Sequence, residues 1–196
     1  MYKVVDNFFD DPHFVRKTAI DFLTNKHSCI LNDSVPNYPG IRSGVPENIS
    51  NFLLNFLKDN YGNKLQEFSC QFHITSSSHR LGLVHYDNSK YAGLIYLNED
   101  PPKNSGTILC NHVSDNDFKF EYNFSLASTT HDVEIITEFA NYKQNYNQNF
   151  EIVSEIENKF NRLVIYDGTQ YHAPYYYFGN NIFNSRLVLV FWFDLD

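Results

Sequence analysis

The hydrophobic period of this chain changes at Glu67, and that change restricts the folds open to it. Before it, Ile49, Phe52, Leu53, Phe56 and Leu57 stand at i, i+3, i+4, i+7 and i+8, one stripe of a 3.6-residue repeat. After it, Phe68, Cys70, Phe72 and Ile74 alternate with polar residues, the two-residue repeat of a strand with one buried face. Strand character continues at residues 81–86, 91–97 and 107–113, and Phe118, Phe120, Tyr122 and Phe124 alternate strictly. It returns at 150–156, 162–166, 171–178 and 185–193. Helices first and many short strands after predict an α+β, mainly β chain, with helices packed on one face of an antiparallel sandwich or barrel.

The helical part has recognisable punctuation. Residues 1–9 read as a strand. Asp10 and Asp11 then offer caps to a helix with Pro12 in its first turn, where a missing N–H costs nothing. Phe14, Val15, Ala19, Phe22 and Leu23 form its apolar face. Residues 25–45 carry Pro36, Pro39, Gly40 and Gly44 and read as loop. The second helix starts at Pro46, with Gly62 as the residue that ends it. Residues 125–150 show no clear period and read as a helix, a lid or a loop. At 196 residues the chain predicts one domain, 1–196. Its helical part spans 1–66, its β core 67–196, and a variable insertion lies near 114–150.

Composition removes some function classes. A net charge of −8 argues against a nucleic-acid partner, whose phosphates are held by Lys and Arg. The longest apolar run, residues 187–193, is too short to cross a bilayer. The opening MYKVVDNFFDD lacks the basic-then-apolar order of a signal peptide. Three cysteines, Cys29, Cys70 and Cys110, suit neither a disulfide framework nor a zinc site. The expectation is a cytoplasmic protein with no membrane partner.

Chemistry concentrates in residues 81–98, LGLVHYDNSKYAGLIYLN. In a strand, His85 and Asp87 point the same way and could bind one metal ion from one wall. Two histidines and a carboxylate form the facial ligand set of non-haem Fe(II) oxygenases. The pair alone reads equally as a polar strand edge. A third ligand would have to come from a distant strand, and His172 stands at the start of one. It also reads as a hydrogen-bonded core histidine, and His112 competes for the role. Arg186 opens the apolar strand RLVLVFWF. A guanidinium buried there needs a carboxylate, from the chain's own Asp and Glu or from a dicarboxylate ligand.

In this order, His85-x-Asp87, His172 and Arg186 resemble the 2-oxoglutarate/Fe(II)-dependent dioxygenase superfamily. The YLN at residues 96–98, Gly106-Thr107, NRLVIYDG before His172 and the final RLVLVFWF resemble its prolyl 4-hydroxylase-like branch. VVDNFFDDP and YPGIRS at 38–43 look like a group of such proteins in bacteria and their viruses. The likeness covers nearly the whole chain and is weakest between about 114 and 150. It implies a double-stranded β-helix, or jelly roll, with His85, Asp87 and His172 as iron ligands. It further implies Arg186 on the distal carboxylate of 2-oxoglutarate, assisted by the Tyr96 hydroxyl, and ascorbate as a reductant. Two departures are Val188, where many members have Ser or Thr, and Thr75 near the place of a missing tyrosine. The activity implied is hydroxylation of a peptide, amino acid or small metabolite, with release of succinate and CO2. Residues 125–150 are then a candidate substrate lid, or a surface insertion. Two other readings stay open: a non-catalytic jelly-roll binding or assembly module, and a cupin-like enzyme that uses the metal without 2-oxoglutarate.

Overall fold

The computed structural model describes residues 1–25, 29–31, 40–113 and 133–196. In chain order its elements are β1 (Tyr2–Val5), α1 (Pro12–Thr24), β2 (Cys29–Leu31), β3 (Ile41–Ser43), α2 (Glu47–Tyr61) and β4 (Leu65–Thr75). They continue with β5 (Tyr91–Tyr96), β6 (Thr107–His112), α3 (Val133–Asn147), β7 (Phe150–Ile156), β8 (Leu163–Asp167), β9 (Tyr171–Pro174) and β10 (Arg186–Leu195). The fold is mainly β, with two antiparallel sheets. The larger has the order β1-β8-β5-β10-β4-β3-β2 and the smaller β7-β6-β9.

The alternation of β10 divides the interior into two layers. Leu187, Leu189, Phe191 and Phe193 pack with Phe72, Ile74, Ile95, Leu163 and Ile165 beneath α1 and α2. Val188, Val190 and Trp192 point the other way and pack with Leu94, Tyr96, Leu109, Ile156, Val164 and Tyr166 between the sheets. A strand buried on both faces needs a near-continuous apolar run, which RLVLVFWF provides. Truncating such a residue, Phe191→Ala for example, costs about 3–5 kcal/mol.

Helix α1 begins as the sequence predicts: the Asp11 carboxylate accepts from the Phe14 N–H at 3.0 Å, and Pro12 follows the cap. Gly62, at φ 68°, ends α2. Both helices bury a narrower stripe than their apolar pattern suggests. Val15, Ala19 and Leu23, and Ile49, Leu53 and Leu57, are buried, whereas Phe14 is 50% and Phe52 43% exposed. One i, i+4 ridge on each helix meets the sheet, and Phe52 lies at its margin against Phe8 and Phe9.

Other expectations are corrected. The N-terminal strand stops at Val5, because Asn7 takes φ 55° and the Asn161 carboxamide holds both the N–H and C=O of Phe9. Residues 25–45 contain β2 and β3, which extend the large sheet beyond β4. Strand β9 ends at Pro174 rather than at 178, where the proline has no N–H to continue a ladder. Residues 81–86 form no strand. They make only two isolated bridges, Leu81 with Tyr176 and His85 with His172, and side chains of α3 take up other backbone groups of this segment. The unreadable stretch 125–150 contains α3. The alternation at 118–124, and residues 38 and 39 of YPGIRS, lie outside the described residues. Among the described residues, no helix is long and apolar enough to cross a membrane.

Candidate metal centre

Strand β9 carries His172 on the face it turns between the sheets, opposite Leu109 of β6. The His85–His172 bridge exchanges both backbone hydrogen bonds, His172 N–H to His85 C=O at 2.8 Å and His85 N–H to His172 C=O at 3.0 Å. That pairing brings the imidazole centroids to 4.5 Å. Two residues on, the Asp87 N–H donates to the Gly168 carbonyl at 2.7 Å, turning the carboxylate toward both rings. Ligand atoms of His85, Asp87 and His172 all lie within 4.8 Å of one another.

The tautomers follow from the partners. His85 Nδ1 lies 2.8 Å from the Leu83 carbonyl, and His172 Nδ1 lies 2.8 Å from the Gln170 carbonyl. A carbonyl only accepts, so each Nδ1 carries the hydrogen and each Nε2 presents a lone pair. Those nitrogens stand 4.0 and 3.4 Å from Asp87 Oδ1 and Oδ2, and the Trp192 indole donates to Oδ2 at 2.9 Å. Burial, helped by the neighbouring His172, pushes the His85 pKa down to about 4, which keeps that ring neutral. Burial alone would raise the Asp87 carboxyl. When the imidazoles of His172 and His85 are protonated, hydrogen bonding and charge from them, together with the Trp192 indole, outweigh it and hold the group below the usual carboxylate range. Three lone-pair donors converging in a buried space repel one another unless a cation lies between them. The donor set therefore fits a divalent metal ion.

The segment leading to His85 is held from α3. Asn147 accepts from the Val84 N–H at 3.0 Å and donates to the Gly82 carbonyl at 2.8 Å. Lys143 donates to the carbonyls of His79 and Leu81 at 3.0 and 3.1 Å, and burial pushes its pKa down to about 8. Asn98 performs a similar service at the start of β10, accepting from the Leu187 N–H and donating to the Ser185 carbonyl, both at 2.8 Å.

The cavity beside these three side chains is also lined by Arg42, His73, Thr107, Tyr177, Arg186 and Trp192. Arg186 is 2% exposed. Its Nε donates to the Ser105 carbonyl at 3.4 Å, and its guanidinium lies 5.7 Å over the Tyr96 ring. Nη2 has no hydrogen-bond partner, and no carboxylate of the described residues pairs with the group. A buried guanidinium in that condition fits an anionic ligand carrying its own acceptors. The Tyr96 hydroxyl lies 2.8 Å from Thr107 Oγ1 and 3.4 Å from the Ile156 carbonyl. Gly106, beside Thr107, has no room for a side chain, since a Cβ there would collide with the Ile156 carbonyl.

The structure thus brings His85, Asp87 and His172 together, with Arg186 in the same cavity. His112 falls on the opposite face of β6 from Leu109 and Thr107 and packs against Phe150 and Tyr171. Arg42, Tyr177 and Trp192 of this cavity went unread in the sequence. For Trp192 a signal exists, because counting by two from Arg186 along β10 places it on the same face.

Fold and site together define a mainly β, antiparallel protein with a two-histidine, one-carboxylate group that could hold a metal. The chain belongs to DUF6445, a family of unknown function whose model matches residues 2–177. No curated protein matches it. Among solved structures, it resembles a prolyl hydroxylase from Trichoplax adhaerens in complex with a peptide fragment of hypoxia inducible factor, at TM-score 0.58 and 12% identity over 98% of this chain and 83% of that one. A prolyl-4-hydroxylase from Pseudomonas putida matches at TM-score 0.56 and 13% identity, over 100% and 92% of the two chains. HygX from Streptomyces hygroscopicus, with nickel and 2-oxoglutarate bound, matches at TM-score 0.54 and 13% identity, over 99% and 82%. At these identities the likeness shows a shared fold.

Proposed function

We propose that the chain is a 2-oxoglutarate- and Fe(II)-dependent dioxygenase, one domain over residues 1–196 built on a double-stranded β-helix. It hydroxylates a peptide, an amino acid or a small metabolite. One observation carries the reading: three lone-pair donors, with tautomers fixed by carbonyls, converge in a cavity that also holds a buried guanidinium with an unpartnered Nη2. Solved relatives of the fold support it, since HygX is seen with iron and with nickel and 2-oxoglutarate.

In this reading His85, Asp87 and His172 would hold Fe(II). The bound metal and 2-oxoglutarate supply oxidative decarboxylation to succinate and CO2 coupled to hydroxylation, with ascorbate as reductant. The chain orients and shields. Trp192 fixes the Asp87 carboxylate, and backbone carbonyls fix both imidazoles. Arg186, above the Tyr96 ring, holds the distal carboxylate of 2-oxoglutarate. Buried Val84, Leu94 and Val188 keep water from the cavity.

Incubating the purified protein with Fe(II), 2-oxoglutarate and O2 tests this. Succinate forms without added substrate and fails to form with His85→Ala. If metal and 2-oxoglutarate do not bind together, the chain is a non-catalytic module. Activity that survives Arg186→Ala points to metal chemistry without 2-oxoglutarate.

A further inference from the structure

We infer that Tyr177 belongs to the cosubstrate site, its hydroxyl joining Arg186 in holding the distal carboxylate of 2-oxoglutarate; the inference rests on the function proposed above. Tyr177 follows β9 in a stretch paired to the metal-ligand segment. Its N–H donates to the Arg80 carbonyl at 3.0 Å, and its neighbour Tyr176 bridges Leu81. This pairing turns Tyr176 outward, at 45% exposed, and Tyr177 inward, at 7%. The Tyr177 ring meets His79 edge-on at 6.3 Å and lines the same cavity as Arg186.

Buried phenols ordinarily find a hydrogen-bond partner. Among the described residues the Tyr177 hydroxyl makes no hydrogen bond, and the charges it feels are the guanidiniums of Arg186 and Arg42. Burial holds its pKa up at about 12, so the hydroxyl keeps its proton and serves as a donor. Arg186 Nη2 is likewise a donor without a partner. One cavity therefore presents an O–H and an N–H with nothing to receive them. A carboxylate, with two oxygens that only accept, satisfies both.

The Tyr96 hydroxyl is placed differently. Its single proton is directed to Thr107 or to the Ile156 carbonyl, and its ring lies under the guanidinium as a support. Tyr177 approaches from an element outside the large sheet and meets no such competitor. The distal carboxylate would then be gripped between β10 and the chain beyond β9, away from the metal ligands.

Calorimetric titration of the Mn(II)-loaded protein tests the assignment, since manganese accepts the same donor set. Tyr177→Phe is expected to weaken 2-oxoglutarate binding roughly 10- to 100-fold, the effect of removing a hydrogen bond to a charged group. Its affinities for Mn(II), and for 2-oxobutyrate, a 2-oxo acid without the distal carboxylate, are expected to match the wild type. Unchanged 2-oxoglutarate affinity in Tyr177→Phe, or an equal loss for both acids, overturns the assignment and leaves the proposed function standing. If the wild-type Mn(II) protein does not bind 2-oxoglutarate, the proposed function fails and takes this inference with it.

Discussion

His85 and His172 reach one point by different means of support. His172 sits in a ladder: β9 pairs with β6, and the ring lies 4.7 Å from that of Tyr166 on the facing sheet. His85 sits on a single isolated bridge, and the five residues ending at it, 81–85, are fastened by Asn147 and Lys143 of α3. Its side chain is 17% exposed against 5% for His172. Sheet pairing distributes support over several backbone bonds. The other arrangement concentrates it in two side chains, so one substitution on α3 can loosen His85 and spare His172.

The largest effect should be blind to this contrast. His85→Ala and His172→Ala are both expected to abolish Mn(II) binding measured by calorimetry, because each removes a proposed ligand. Near-wild-type affinity in either variant removes that histidine from the centre. Asn147→Ala probes the contrast itself. It leaves the Val84 N–H and Gly82 carbonyl without their side-chain partner, and metal affinity should fall about 10- to 100-fold, as when outer partners of metal ligands are lost. Hydrogen exchange should quicken across residues 82–85 and stay unchanged in β9; equal quickening in both would erase the distinction. Trp192→Phe removes the indole donor to Asp87 and should cost about 10-fold in metal affinity, with exchange unaltered on both sides.

Two smaller effects concern pH. The Lys143 pKa is near 8 in the folded chain, below its ordinary value of 10.5. Below pH 8 both states carry the proton and the penalty for the buried charge is fully present. Between about pH 8 and 10.5 only the unfolded chain keeps it, so stability contributed through this residue rises with pH. Lys143→Met should lack that rise, so the difference between wild-type and variant denaturation midpoints should shift in the wild type's favour between about pH 8 and 10.5, whereas a matching rise in both proteins would show that Lys143 does not cause it. Asp6, far from the centre, has the opposite sign: hydrogen bonds from Arg162 and Lys159 hold its carboxyl below the usual range. Its stabilisation is present above about pH 4 and is lost as the pH falls toward the folded value. Asp6→Asn should therefore lower the thermal midpoint slightly at pH 7, and the deficit should shrink in acid.

How far the sequence could be read follows the same division. The helical stripes, the alternation of β4 and the short strand-like runs of β5, β6, β7 and β10 were legible because each is a local pattern. His85 and Asp87 were legible as a pair from their strand spacing, and His172 joined them only through the family resemblance, since His112 competed on residue chemistry alone; the structure brings the three together. The support of His85 was not legible. Residues 81–86 look like a strand, and nothing in them announces that an asparagine more than sixty positions later occupies a strand's place. Tyr177 was hidden for a related reason. Counting by two from His172 points Tyr176 inward, but β9 stops at Pro174, and the pairing of Tyr176 with Leu81 reverses the faces. In the run Tyr175-Tyr176-Tyr177 no local cue says which ring is enclosed. Arg186 stood out because a lone charge heads the most apolar strand.

The carboxamide of Asn147 does by itself what a neighbouring strand would do over several residues, offering one acceptor and one donor at the required spacing. The placing of His85 is thereby detachable from the sheets. A lineage, or an engineer, could retune the proposed centre by editing α3 alone, with α1, α2 and the wall that bears Arg186 left as they are.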